Sequence, residues 1–464
     1  MCSIIATTKE VTNLQYVNYY TKFRGPDSTR METCGPFTLV HNLLSITGVA
    51  TTQPFIEDGT ATLFNGEIYN YTEFGSYKSD GEVLLPLYRE HGKDFISKLD
   101  GEFSIFLIDL ARGQYVVSTD VFGTKPLWIA FDGENVGVAS YASVLRRLGF
   151  KNPERVPANT TRIYDSATHM LVHEQPVYVF NLEQKVDSYD LFLSAFAESI
   201  RKRSQDVSKK IFLGVSSGYD SGAIACELKQ QGVEFKVFSI SGRENEDVLS
   251  ARLALHNPSE YFKLSHEEFL TAKEHLIHCG EDMYLAIDTE QHRGHFVFEN
   301  DGAVGLSAIC LRAKKDEYKV FFSGQGADEI FSDYGHNGHK FVSRSSFGGL
   351  FPEQLEAIFP WKNFYDGTQR AYLDKEEVVA GSHGIETRYP FLDVALVQAF
   401  LNLKPELKNR NYKAPLYEYL MRNHYPMESA QKIGFILEPF TKVEKLHPRA
   451  LLHRLYGYLH TYVK

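Results

Sequence analysis

Through its first 141 residues the chain alternates short apolar runs with turn residues. Segments 36–46 (PFTLVHNLLSI), 60–71 (TATLFNGEIYNY), 102–112 (EFSIFLIDLAR), 114–120 (QYVVSTD), 126–131 (PLWIAF) and 136–141 (VGVASY) are rich in β-branched and aromatic residues and punctuated by Gly, Asp or Asn, which predicts strands. One helical pattern, 81–92 (GEVLLPLYREHG), lies among them, so an α+β layer arrangement is expected, ending within residues 175–195. From about residue 188 the texture changes. Residues 189–204 are amphipathic with helical spacing, 209–218 (KKIFLGVSSG) form a buried strand running into a glycine turn, and 223–232 form a helix. Further strands are predicted at 235–241 and 318–324. Strands separated by helices imply a parallel α/β sheet with its ligand site at the carboxyl ends of the strands.

Size and composition narrow the function. A chain of 464 residues exceeds what one core usually supports, so two domains are expected. The net charge of -10 and the lack of a long Lys/Arg run point away from nucleic acid and toward a small-molecule substrate. Five scattered cysteines (Cys2, Cys34, Cys226, Cys279, Cys310), without CxxC spacing, read as reduced thiols in a cytoplasmic protein, the last three as core thiols. No run of about 18 apolar residues occurs and no export signal is read, so no membrane partner is expected.

Two places carry candidate chemistry. Removal of Met1 would leave the Cys2 thiol and a free α-amino group on one residue, a nucleophile with its own base, as in an N-terminal nucleophile hydrolase. On position alone, a second residue that is merely a cysteine is the commoner case. The second place is the strand-to-helix turn 212–222 (FLGVSSGYDSG), where backbone N–H groups and the hydroxyls of Ser216, Ser217 and Ser221 suit a phosphate or pyrophosphate. Its spacing is neither a Walker loop nor a Rossmann fingerprint. Asp328 and Glu329 follow another glycine-rich turn and suit Mg²⁺ beside phosphates, while Lys413 and Lys432 are candidates for stabilising a leaving pyrophosphate. His292, Arg293 and His295 read as solvated loop residues, and 447–464 as a helix packed on the second domain.

The chain resembles the glutamine-hydrolysing asparagine synthetase family over nearly its whole length. MCSII, RGPDS (24–28), FNGEIYNY (64–71), SDGEV (79–83), LDGEFSIFLID (99–109) and DVFGTKPL (120–127) match its class II glutaminase domain in order. SSGYDSG, FSISG, SGQGADEIFSDYG, GIETRYPFLD (384–393) and Lys413 match its synthetase half. The resemblance implies an N-terminal nucleophile hydrolase domain of antiparallel sheets with helices at 2–185, and a parallel-sheet ATP-pyrophosphatase domain at 186–464. It implies that Cys2 attacks glutamine, that Asn65 and Gly66 hold the oxyanion, and that Glu67, Asp80 and Gly81 bind the substrate. It assigns ATP to Val215, Ser216, Ser217, Gly218, Asp220, Ser221, Ser239, Ser323 and Gly324, with Lys413 catalytic. Gln325, Asp328, Glu329 and Arg388 fall to the acceptor side, and Asp220 and Asp328 to Mg²⁺. The implied partners are glutamine, ATP and aspartate or another carboxylic acid, with a homodimer expected from the family.

Four departures bear on the chemistry, and one is a whole segment: residues 282–304 do not resemble the family's usual stretch, which helps to bind the acid substrate. Where relatives usually carry an Arg that grips the glutamine α-carboxylate, this chain reads His41-Asn42-Leu43-Leu44. The usual Ser-Gly-Gly becomes Ser216-Ser217-Gly218, a strained turn if φ is positive at 217. Gln325 stands where an acidic residue often deprotonates the incoming ammonia, and an amide is no base. These departures leave amidation of a different acid, or a binding protein that has lost catalysis, as alternative expectations.

Overall fold

The structure is a computed structural model describing residues 2–242, 244–285 and 295–428. Lys432, His292, Arg293 and the segment 447–464 lie outside the described residues. The first half is built on two six-stranded antiparallel sheets and carries the helix α1 (Leu84–His91). One carries β1 (Ser3–Thr7), β2 (Ser28–Cys34), β3 (Phe37–Leu43), β8 (Trp128–Asp132), β9 (Asn135–Ala139) and β10 (Glu154–Arg155), in the order β10-β8-β9-β1-β3-β2. The other carries β4 (Phe55–Glu57), β5 (Thr60–Ile68), β6 (Gly101–Asp109), β7 (Gln114–Thr119), β11 (Thr161–Asp165) and β12 (Leu171–Gln175), ordered β12-β11-β7-β6-β5-β4. Alternation along each strand decides what fills the space between them: Ile4, Ala6, Leu39, Leu63, Phe106 and Val138 meet there in one core. The outward residues Ile5 and Val40 pack instead with helical residues such as Val17 and Val144.

The second half is a five-stranded sheet, every pairing parallel, of β13 (Lys210–Gly214), β14 (Phe235–Ile240), β15 (Ser259–Phe262), β16 (Tyr318–Phe322) and β17 (Glu386–Arg388). Its order is β15-β14-β13-β16-β17. Both faces are covered, so neighbouring residues enter different cores. Ile211 and Leu213 pack with α2 (Asp190–Ser204) and α3 (Tyr219–Gln230), whereas Phe212 packs with α4 (His266–Cys279) and α5 (Asp301–Lys315). In α2 the buried residues Phe192, Phe196, Ile200 and Arg203 recur at helical spacing. α6 (Gly367–Ser382) follows β16 and leads into β17, and α7 (Ala414–Arg422) follows Lys413.

None of the five cysteines is in a disulfide, and Cys226 and Cys310 are buried as expected. Cys279, at the last position of α4, is only partly buried, because its neighbour Gly280 already leaves the helix. Among the described residues, no helix is long and apolar enough to cross a membrane.

Candidate active sites

The first cluster gathers at one end of the two-sheet core. Cys2 immediately precedes β1 and, two residues before inward-facing Ile4, points to the same interior. Its Sγ accepts from the Leu44 N–H at 3.5 Å, and the Arg24 Nε donates to its carbonyl at 3.1 Å. The RGPDS segment fits against β3 because Gly25 has no Cβ: one would stand 2.1 Å from the Asn42 oxygen. Asp27 then accepts from the Ser45 N–H at 2.9 Å. Burial pushes the Cys2 thiol up to about 12, so attack needs a base that removes its proton as substrate binds.

Asn65 points into the same core from β5 at 0% exposure, and neither atom of its side-chain amide has a partner. A buried amide without partners is costly unless a ligand completes it. Gly66 takes φ 141°, and a Cβ there would lie 1.9 Å from the Glu102 carbonyl oxygen, so only glycine fits. Two residues after Leu39, His41 is buried with both ring nitrogens unpartnered, and burial lowers it to about 3, which keeps it neutral. The sequence reading gave it no role.

Asp80 accepts from the N–H groups of Ile68 at 2.9 Å and Gly81 at 3.0 Å, and burial raises its carboxyl to about 7. Gly81 gives Phe64 room, since a Cβ would lie 2.2 Å from that ring. Glu67 is paired with Arg388 at 3.3 Å. That pairing corrects the expectation for Arg388. Carried by β17, it is buried and bonds Glu67, Glu386 at 2.8 Å and the Arg203 carbonyl, on the glutaminase side of the seam rather than beside Asp328 and Lys413.

The second cluster lies at the carboxyl ends of β13, β14 and β16. Val215 to Gly218 turn from β13 into α3. The Ser221 Oγ accepts from the Ser216 N–H at 3.0 Å, and the Gly218 N–H donates to the Ser216 Oγ at 3.2 Å. Ser217 is absent from the residues at positive φ, so the extra hydroxyl costs no backbone strain. Two residues that sequence reasoning missed hold this loop. Glu244 accepts from the Ser217 N–H at 2.7 Å, and buried Arg252 donates to the Gly218 carbonyl at 2.7 Å. The latter packs on Gly222, where a Cβ would meet its guanidinium at 2.6 Å. Ser239 lies one residue beyond the Gly214–Phe238 pair, where β13 ends, and pairs with Tyr261 of β15.

Gly324 brings the next turn onto the loop: a Cβ there would stand 3.0 Å from the Asp220 Cβ. The Ser323 Oγ accepts from the Gln325 N–H at 3.1 Å and donates to Glu376 at 2.6 Å. Lys413, held at φ 47° and 3% exposed, places its Nζ 2.6 Å from Asp220 Oδ2 and 2.8 Å from Asp328 Oδ1. Against the cost of burial, these two carboxylates hold its ammonium well above its usual range. A non-glycine residue in left-handed backbone at this focus of charge is a strain the fold retains. Glu329 does not join them. Its carboxylate accepts from the Gly326 N–H at 3.2 Å and from the Tyr334 hydroxyl, at 1% exposure, so it braces the turn instead of facing an acceptor.

The side chains of Asp220 and Asp328 remain 23% and 20% exposed, and offer hard oxygen donors beside the hydroxyl loop. No group of three ligating side chains exists among the described residues. The donor set therefore fits Mg²⁺ bound by one or two carboxylates together with nucleotide phosphates, not a fully protein-bound metal.

Residues 1–181 match the family model for a glutamine amidotransferase domain. Residues 191–371 and 361–450 match the model for asparagine synthase. The chain belongs to the asparagine synthase family. A probable asparagine synthetase (glutamine-hydrolysing) of Schizosaccharomyces pombe is 28% identical over 443 residues, spanning 88% of this chain and 77% of the relative. The asparagine synthetase (glutamine-hydrolysing) of Asparagus officinalis is 26% identical over 431 residues, spanning 88% and 69%. Among solved structures, the glutamine phosphoribosylpyrophosphate amidotransferase of B. subtilis, complexed with ADP and GMP, covers 56% of this chain and 81% of its own, with a TM-score of 0.32 and 16% identity.

Proposed function

We propose that this family member is an ATP-dependent carbon–nitrogen ligase that hydrolyses glutamine at Cys2 and delivers the ammonia to an ATP-activated carboxylate, aspartate, making asparagine. The observation that carries this is the short path between the two clusters. Arg24 holds the Cys2 carbonyl and pairs with Glu377 at 2.7 Å, while the adjacent Glu376 bonds Ser323 beside the hydroxyl loop. One turn of α6 thus stands between a nucleophile facing a partnerless amide and a Lys–Asp–Asp cluster beside a phosphate loop. Two sites so linked suit ammonia, which in bulk water at neutral pH would be protonated and non-nucleophilic.

In the first site the α-amino group of Cys2 takes the thiol proton as Sγ attacks the glutamine amide. Asn65 and the Gly66 N–H stabilise the oxyanion, a contribution of ~10²-fold or more per donor. Asp80 and Glu67 orient the substrate amine, ammonia leaves, and water hydrolyses the thioester to glutamate. In the second site the acceptor carboxylate attacks the α-phosphorus of ATP and pyrophosphate leaves. Ser216, Ser217, Gly218, Ser221 and Lys413 hold the departing phosphates. When bound, Mg²⁺ at Asp220 and Asp328 would neutralise phosphate charge. Ammonia then displaces AMP.

The division between the domains is proposed at residues 185 and 186, between the end of β12 and the start of α2. A cytoplasmic setting and a homodimer belong to the same proposal, the first supported by five cysteines that form no disulfide.

The test is mass spectrometry of the amide formed from ATP, Mg²⁺ and aspartate with glutamine or ammonium, for the wild type and Cys2→Ala. Asparagine from both nitrogen sources, with only the glutamine reaction lost in Cys2→Ala, is expected. No asparagine from either source would overturn aspartate as acceptor and direct the search to other acids.

A further inference from the structure

The last step of the proposed reaction needs a base, and Gln325 is not one. A protonated amine leaving group forms if the attacking nitrogen keeps all its hydrogens, and ammonia would then be expelled again as readily as AMP. Several carboxylates stand near the path, but most are already committed. Glu377 is paired with Arg24 at 2.7 Å and Lys125 at 3.1 Å, and Glu386 with Arg388 at 2.8 Å. Glu329 is sealed beneath its turn. Asp220 and Asp328 face Lys413.

Glu376 differs from all of these. It is half-buried, accepts one hydrogen bond, from the Ser323 Oγ at 2.6 Å, and forms no ion pair with a Lys or Arg among the described residues. Ser323 also accepts from the Gln325 N–H at 3.1 Å, and the intervening Gly324 packs on Asp220 of the phosphate loop. The carboxylate therefore sits against the very turn where an acidic residue is missing. Consecutive positions on a helix diverge by about 100°, so Glu377 faces the glutaminase half while Glu376 faces the adenylation loop. The nearby Gln325 amide has a buried, partnerless Nε2, which supplies a donor but no base.

We propose that Glu376 is the catalytic base that takes a proton from ammonia as it attacks the acyl-adenylate, in place of the missing acid at position 325. This rests on the function proposed above and deepens it. As the new C–N bond forms, one N–H proton passes to the Glu376 carboxylate. The C–O bond to AMP breaks with its electron pair on the phosphate oxygen, and half-buried Glu376 afterwards releases the proton to solvent. Burial raises the Glu376 carboxyl to about 7, against the pull of Lys375 and the Ser323 hydrogen bond, with Glu329 and Glu377 adding to the rise. The Cys310 thiol, also near, is itself pushed up by burial. A base near neutrality is the efficient kind at working pH.

The experiment compares the wild type with Glu376→Gln in two reactions: aspartate-dependent ATP–pyrophosphate exchange, which precedes ammonia, and asparagine formation from ammonium. Exchange in the variant is expected within about threefold of wild type, while amide formation falls about 10²-fold and its acidic limb near neutral pH disappears. Glu376→Asp, which keeps a carboxylate, is expected to recover part of the amide rate. Amide formation at the wild-type rate in Glu376→Gln overturns the proposal. So does parallel loss of both reactions in a variant that melts like the wild type, since Glu376 would then serve adenylation. Absence of exchange in the wild type itself would instead sink the aspartate reading, and this inference with it.

Discussion

Leu43 is the residue whose replacement has the plainest consequence. By family resemblance an Arg at this position grips the α-carboxylate of glutamine, and here the site offers a buried aliphatic side chain at the end of β3, next to the Leu44 N–H that holds the Cys2 sulfur. Glu67, Asp80 and Glu386 lie near one another here, and Arg388 is shared between Glu67 and Glu386. A charge-assisted contact is worth roughly 1.5–3 kcal/mol, so Leu43→Arg should lower the glutamine KM by about tenfold or more, with ammonium-dependent synthesis unchanged. Steady-state glutaminase kinetics decide it; an unchanged KM would mean that backbone groups already hold the α-carboxylate. At this scale much of the candidate site was legible, because Cys2, Asn65 and Gly66 stand in ordered motifs and Lys413 is reached through the family resemblance. The parts played by Arg24, Glu244 and Glu376 were not. Their roles depend on partners such as Glu377, 353 positions away from Arg24, which no local pattern encodes.

The elements that carry these residues are tuned by backbone as much as by side chain. In β5, Gly66 pairs with Phe103 of β6 and presents its N–H beside Asn65 at φ 141°. Gly66→Ala would drive a methyl into the Glu102 carbonyl in a region that L-residues avoid, so the strand must shift. We expect a stability loss of about 2–4 kcal/mol by denaturant unfolding, together with loss of glutamine hydrolysis. Wild-type stability with full hydrolysis would contradict the proposed role of this N–H. Strand legibility follows the same logic of burial. The segment 36–46 yields β3 because Phe37, Leu39, Val40 and Leu43 are buried, though the strand stops at Leu43, where the chain turns to meet Cys2. β2 went unread because its edge position leaves Thr29, Arg30, Met31 and Thr33 exposed, so STRMETC shows no apolar alternation. β17 is three residues long and polar, and it became a strand through pairing with β16 rather than through any propensity of Glu-Thr-Arg.

Across the whole molecule, the two halves are joined by buried charge. Lys125 lies between Glu377 at 3.1 Å and Glu102 at 3.4 Å, and Arg203 between Glu102 at 2.7 Å and Asp393 at 2.9 Å. Paired charges of this kind add little net stability against an apolar seam, but removing one partner strands the other, typically at a cost of about 3–5 kcal/mol. The seam thereby fixes one relative placement of Cys2 and the adenylation loop, as ammonia transfer requires. Glu281 is a second kind of tie. It accepts from the Ser143 N–H at 2.8 Å and from the Ser143 hydroxyl, and burial raises its carboxyl to about 7. Unfolded, the same group titrates near ~4.3. Between these values the folded chain holds a proton that the unfolded chain has released, so this group's contribution to stability is complete at low pH and declines as pH rises through about 7. Glu281→Gln keeps an amide oxygen for the Ser143 N–H and removes the titration. Its stability relative to wild type should improve by about 2 kcal/mol between pH 5 and pH 8 and stay level above that, measured by urea unfolding at each pH. A difference that does not vary with pH would show that Glu281 titrates as an ordinary surface carboxylate, and that Ser143 meets it as a charged, solvated partner.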